Sequence, residues 1–111
     1  EMADPRIKTI KIQTGVLRRL TKEKVSYEKE VDIQRAKIEK YKEEGKDDCY
    51  INKQGEVLQE SVSMVHDCQR RLAKAFKEFQ NIIDSESDLK EAEEYIAAVQ
   101  ILEEAKPHLP N

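Results

Sequence analysis

The stretch that decides the fold runs from position 51 to 83 and reads INKQGEVLQESVSMVHDCQRRLAKAFKEFQNII. Large apolar residues recur along it seven apart: Ile51, Leu58, Val65, Leu72 and Phe79. A second set, three positions later in each repeat, is small or adaptable: Gln54, Ser61, Cys68, Ala75 and Ile82. Because an α-helix turns once in about 3.6 residues, both sets lie along one side of a helix. The pattern predicts a long helix packed lengthwise against other helices.

The first part of the chain carries the same repeat with polar interruptions. Its two registers are Ile10, Leu17, Lys24, Val31, Ile38 and Gln13, Leu20, Tyr27, Gln34, Tyr41. We predict a first helix over about 7–44, ended by Gly45, since glycine readily adopts the left-handed conformation of a helix cap. A polar turn over 45–48 then leads into a second helix over about 49–83, capped by Asp47 or Asp48.

A third, shorter helix is predicted over about 88–105, after a polar turn at 84–87. Its inward residues are expected to be Leu89, Ala92, Ile96, Val99 and Leu102. Short turns place successive helices antiparallel. The whole chain, 1–111, is therefore predicted to be one all-α domain. We expect an elongated antiparallel three-helix bundle, spectrin-like with left-handed coiled-coil packing, in which two helices are long and one is shorter.

Composition argues for a cytoplasmic protein. The sequence contains no apolar run long enough to cross a membrane, and its amino terminus lacks the apolar core of a secretory signal. Cys49 and Cys68 are too few for a disulfide framework, and Cys68 falls on the seam of the second helix. These features suit a reducing compartment.

No pattern in the chain indicates catalysis or metal binding. His66, Asp67 and Cys68 are consecutive, so on a helix they point about 100° apart and cannot converge on one atom. The paired short spacings of a structural zinc site are also absent among the candidate ligands Cys49, His66, Cys68 and His108. The sequence has no glycine-rich phosphate loop. We therefore expect a protein that is not an enzyme and needs no cofactor.

Charge is distributed unevenly, with a basic first helix and an acidic remainder. The basic side chains at the start of the chain are Arg6, Lys8, Lys11, Arg18, Arg19, Lys22 and Lys24. They surround the helix and are not accompanied by stacking aromatics, so nucleic-acid binding is not expected. Membrane-surface binding is not expected either, because the bundle needs the apolar face. Attraction between neighbouring helices explains the asymmetry more simply.

Short segments along the chain resemble the tubulin-specific chaperone A family, also called tubulin-folding cofactor A. IKIQTGV at 10–16 and KEKVSYEKE at 22–30 resemble its first helix. LQES at 58–61 and DCQRRL at 67–72 resemble its central helix, and DL at 88–89 with EAEEY at 91–95 resembles the opening of its third. The segments occur in the family's order and span nearly the full chain.

This resemblance implies a rod that binds β-tubulin stoichiometrically without nucleotide or metal. Members of the family capture folding intermediates and act as a reservoir before αβ-tubulin heterodimer assembly, in the cytoplasm and in association with the cytoskeleton. The candidate contact residues belong to the matching central segment and are expected to lie off the buried seam: Glu60, Gln69, Arg70 and Arg71. The two arginines could pair with an acidic tubulin surface, or equally with acids of their own chain.

Two points stay open at the level of sequence. The family usually has a proline where this chain has His66, so a family-like bend of the second helix is not expected here. A structural coiled-coil adaptor or oligomerisation module is the alternative function, because heptads alone do not distinguish it. A homodimer is compatible with either function.

Overall fold

The computed structural model describes residues 4–111; the first three residues of the predicted 1–111 domain lie outside the described part. That part contains only helices and connecting turns. The three α-helices are α1 (Pro5–Glu43), α2 (Asp48–Ser85) and α3 (Glu93–Ala105). Single 3₁₀ turns follow α2, at Ser87–Leu89, and α3, at Lys106–His108.

Local chemistry explains where the two long helices begin and end. The Asp4 carboxylate accepts a hydrogen bond from the backbone N–H of Arg6 at 2.9 Å and caps α1. At the other end Gly45 has φ +72°, and the backbone N–H of Lys46 donates to the carbonyl of Tyr41 at 3.0 Å. This is the left-handed glycine cap that the sequence predicts. Asp47 is the residue that caps α2, accepting from the N–H of Cys49 at 2.8 Å.

The tight turn folds α2 back along α1, and α3 then runs parallel to α1 over one end of the pair. The start of α3 lies near Lys11, and its carboxyl-terminal residue Ala105 lies near Thr21. The described residues form a rod of 68 × 20 × 20 Å. One part of this rod is therefore three helices thick and the rest only two.

The buried core follows this division. The residues that pack into it come from all three helices: Ile10, Leu17, Leu72, Phe79, Ile83, Ala98, Ile101, Leu102 and Ala105. On the seam of α2, the half facing α3 is buried, whereas Ile51, Leu58 and Val65 stay partly exposed. The third helix therefore completes the core only along the part of the rod that it covers.

The inward face predicted for α3 is wrong at two positions. Ile96 is 56% exposed and Val99 is 42% exposed, whereas Ala98 and Ala105 are buried beside Leu102. The α-helix also begins at Glu93 rather than at 88. The face of α3 that packs against α1 and α2 consists of two small and two large residues, Ala98, Ala105, Ile101 and Leu102.

The remaining two predicted inward positions fall before α3 begins. Ala92 has extended backbone at the start of the helix, with φ −70° and ψ 140°. Leu89 lies in the preceding 3₁₀ turn and packs against the core from there. Only Leu102, of the five residues predicted inward, belongs to the buried face of α3.

Candidate partner-binding surface

The four predicted contact residues do not share one face of α2. Gln69, Arg70 and Arg71 are consecutive in a helix, so they point about 100° apart. Gln69 is partly buried, whereas Glu60, Arg70 and Arg71 are exposed. A single flat partner could not touch all four without reaching around the helix.

Arg70 and Arg71 share one acidic neighbour. Arg70 Nη2 lies 3.1 Å from Asp67 Oδ1, and Arg71 Nη2 lies 3.2 Å from Asp67 Oδ2. Exposed ion pairs of this kind contribute about 0–1 kcal/mol, so a partner can displace them at little cost. Two guanidinium groups on one carboxylate leave a net positive charge, which suits an acidic surface.

The adjacent His66, Asp67 and Cys68 do not form a nucleophile site. Cys68 is fully buried, whereas His66 is exposed on a different side of α2. Burial raises the pKa of the Cys68 thiol, and the positive charge of Arg71 only partly opposes that effect. A buried thiol with a raised pKa is a poor nucleophile at neutral pH.

An open groove, which the sequence does not reveal, lies between α1 and α2 beyond the end of α3. Its volume is about 500 Å³, within the range of ligand-binding clefts. Its floor is apolar, with Val31 from α1 and Val62 and Val65 from α2. Its charged and polar rim residues are Glu28, Asp32, Arg35 and His66. In the sequence, these valines resemble ordinary residues of a buried seam, so the pattern does not indicate that a groove lies open there.

A second, wider depression lies on the outer side of α2. It has a volume of about 780 Å³ and is bordered by Asn52, Gly55, Glu56, Gln59, Glu60, Ser63 and Met64. A Cβ atom at Gly55 would meet no other atom within 4 Å, so the depression is open there. Glu60 is the one predicted contact residue that lies in either hollow.

The residues from 4 to 111 include no group of three or more His, Cys, Asp or Glu placed to hold a metal ion. In the same range, no helix is both long and apolar enough to cross a membrane.

Comparison with known proteins gives a consistent result. Residues 5–102 match the family model described as Tubulin binding cofactor A. The mouse protein "Tubulin-specific chaperone A" is 55% identical over 105 residues, covering 95% of this chain and 97% of that protein.

Two solved structures share the fold. The structure described as human tubulin chaperone cofactor a has a TM-score of 0.82 and 52% identity, over 92% of this chain and 99% of its own. Tubulin folding cofactor A from Arabidopsis thaliana has a TM-score of 0.87 and 32% identity, over 93% and 97%. The resemblance seen in the sequence is confirmed, and the chain belongs to the tubulin binding cofactor A family.

Proposed function

We propose that this protein binds β-tubulin stoichiometrically as a folding cofactor. In this proposal it captures folding intermediates and holds β-tubulin in reserve before the αβ-tubulin heterodimer assembles. The observation that carries the proposal is the match of residues 5–102 to the family model, supported by relatives whose names are tubulin-specific chaperone and tubulin-folding cofactor. The corresponding place of action is the cytoplasm, in association with the cytoskeleton.

The geometry of the rod supports capture of a partner protein better than it supports catalysis. A rod of 68 × 20 × 20 Å offers a long surface relative to its volume. Several large apolar side chains stay exposed on the part that α3 does not cover, namely Ile33, Tyr50 and Val57. Exposed apolar surface of this kind is typical of sites that bind another protein. Left-handed, spectrin-like packing of the helices stays a prediction that capture does not need.

We further propose that Glu60, Gln69, Arg70 and Arg71 contact tubulin. Their different directions mean that the contacts would come from a partner surface that curves around α2. Arg70 and Arg71 supply the positive charge for an acidic partner surface, which would raise the association rate more than the affinity.

A binding experiment with separated tubulin subunits tests the proposal. The purified protein, mixed with β-tubulin or α-tubulin without nucleotide, is expected to retain only β-tubulin in a pull-down. A homodimer is compatible with this result. If the protein formed a stable helical oligomer that binds neither tubulin subunit, the proposal would be contradicted and a coiled-coil adaptor would be favoured.

The arginine contacts have their own test. The charge reversal R70E/R71E is expected to slow association with β-tubulin and to reduce its salt dependence. The matched control K74E/K77E reverses two exposed charges one and two turns further along α2. Equal effects of the two double variants would remove Arg70 and Arg71 from the binding site.

A further inference from the structure

The groove beyond α3 is the same surface that α3 occupies, continued along the rod. On α1, the residues that border α3 include Thr14, Arg18 and Thr21. Adding two heptads, or fourteen residues, to these positions gives three residues that line the open groove: Glu28, Asp32 and Arg35. The α1 side of the groove therefore repeats the register of the α3 contact.

The α2 side repeats it as well. Phe76 and Phe79 of α2 pack in the core that α3 completes. Two heptads earlier stand Val62 and Val65, which line the open groove. Both walls of the groove thus present the helix faces that hold a third helix elsewhere in the same molecule.

The third helix of this chain does not reach the groove. α3 ends at Ala105, and the 3₁₀ turn after it brings His108 Nδ1 to 3.4 Å from Lys24 Nζ. Lys24 lies one turn before Glu28, where the groove begins. Val62 and Val65 consequently remain partly exposed, although their positions match those of packed phenylalanines.

The floor of the groove determines the size of side chain that fits. Where α3 packs, the phenylalanines of α2 fill part of the space, and α3 contributes two small and two large residues to it: Ala98, Ala105, Ile101 and Leu102. Valines replace the phenylalanines in the groove, so its floor is deeper. A helix lying there can insert larger apolar side chains, at the i, i+3, i+4 and i+7 spacing by which amphipathic helices fill apolar grooves.

The rim charges differ from those that face α3. Arg18 lies beside Glu93 and Glu94 of α3, whereas Asp32 holds the equivalent position on the groove. An acidic helix such as α3 of a second copy would face this carboxylate and be repelled. The charge favours an occupant with a basic residue there.

Two rim groups are available to such an occupant. Glu28 is held by Lys24 at 2.9 Å, but within residues 4–111 neither Asp32 nor Arg35 forms an ion pair. His66 adds an exposed imidazole from α2. Asp32 and Arg35 can therefore pair with a base and an acid of the incoming helix.

We propose that this groove binds an amphipathic α-helix of tubulin, laid end to end with α3. The helix inserts large apolar side chains between Val62 and Val65, places a basic residue at Asp32 and an acidic residue at Arg35. The inference rests on the proposed binding of β-tubulin and assigns a site to it.

Substitutions at two valines test the groove with purified β-tubulin as the probe. Val62→Asp puts a charge on the groove floor, and Val99→Asp is the matched control at an exposed valine on the outward face of α3. We expect Val62→Asp to weaken β-tubulin binding about tenfold or more and Val99→Asp to weaken it much less. Equal affinities of the two variants would overturn the groove assignment.

Val62→Phe is the control for the possibility that Val62→Asp loses binding because it unfolds. It keeps the position apolar, restores the residue type found two heptads later, and narrows the groove. It is expected to preserve helix content and thermal unfolding while still weakening β-tubulin binding. Unchanged binding by a folded Val62→Phe would contradict the proposal.

Two further outcomes separate this inference from the function on which it rests. If the unsubstituted protein fails to bind β-tubulin, the proposed function is wrong. If it binds and Val62→Asp binds equally well, only the groove is wrong. The oligomeric state of the free protein is measured by sedimentation equilibrium. If the unsubstituted protein is a dimer and Val62→Asp is a monomer, a second copy of the chain, not tubulin, occupies the groove.

Discussion

Polar side chains on the helical seams are tolerated where each one finds a partner. Lys24 is only 6% exposed, yet its ammonium group reaches Glu28 at 2.9 Å and the His108 ring. Buried Gln34 donates to the side-chain oxygen of Gln54 at 2.8 Å across the α1–α2 contact. Because an unpaired buried polar group is costly, the Gln34–Gln54 bond favours one register of α1 and α2 over its neighbours.

The two cysteines are expected to differ sharply in reactivity. Cys49 is exposed, whereas Cys68 is buried and has a raised pKa because of that burial. A disulfide reagent should therefore modify one thiol of the native protein rapidly and the other only after unfolding. Cys49→Ser is expected to abolish the rapid phase, and Cys68→Ser to leave it intact. A rapid phase that survives in Cys49→Ser would show that Cys68 is accessible.

At the scale of single elements, α2 is one uninterrupted helix from Asp48 to Ser85, and His66 lies inside it. His66 stands where the family resemblance implies a proline. A proline in a helix interior removes a backbone donor and clashes with the preceding turn. This chain has no such obstacle at its midpoint.

His66→Pro is therefore expected to destabilise the protein by up to about 3 kcal/mol, measured by urea unfolding. The control His66→Ala changes the side chain alone and should have little effect, because His66 is exposed. If the two variants were equally stable, the helix would already have the backbone geometry that proline requires.

The amino-terminal end of α1 is tied to the turn after α2 by a single guanidinium group. Arg6 pairs with its neighbour Asp4 at 2.7 Å, with Glu86 at 2.6 Å and with Asp88 at 3.0 Å. The hydrogen bonds from Arg6 lower the pKa of the Asp4 carboxyl below its usual value. The Asp4 cap thus stabilises the protein fully when the pH is above the ordinary pKa of aspartate. This stabilisation is lost as the pH falls through the lowered pKa of Asp4.

Arg6→Gln is expected to loosen this end of the rod without unfolding it. Hydrogen exchange should speed up in the first turns of α1 and around Ser87–Leu89, and stay unchanged near Gly45 at the opposite end. Added salt should speed exchange at the same amides of the unsubstituted protein, because the pairs are partly exposed and therefore screened by ions. Uniform protection in both proteins would contradict a local role for Arg6.

At the scale of the whole molecule, the rod is unequal along its length. Leu72 and Leu58 hold equivalent seam positions on α2, but Leu72 is fully buried under α3 and Leu58 is only partly buried. We expect Leu72→Ala to cost about 3 kcal/mol of unfolding free energy and Leu58→Ala about 1 kcal/mol. Equal costs, measured by urea unfolding, would show that the two-helix part is as tightly packed as the rest.

The sequence predicts much of this architecture because its signals are local. The heptads of α1 and α2 and the cap at Gly45 depend on neighbouring residues alone. The face of α3 does not, because the side of this helix that is buried, with Ala98 inside and Ile96 exposed, depends on how α3 packs against α1 and α2. The open groove at Val62 is hidden for a related reason: whether a seam is covered depends on where another helix ends.

Under the proposed function, the protein captures β-tubulin by binding alone. The mass of the complex, measured by sedimentation equilibrium after mixing with β-tubulin in the absence of nucleotide, tests this capture. Capture predicts one species with a fixed ratio of the two chains that forms without any turnover. Two species sedimenting independently, under conditions where the mouse relative forms a complex, would contradict it.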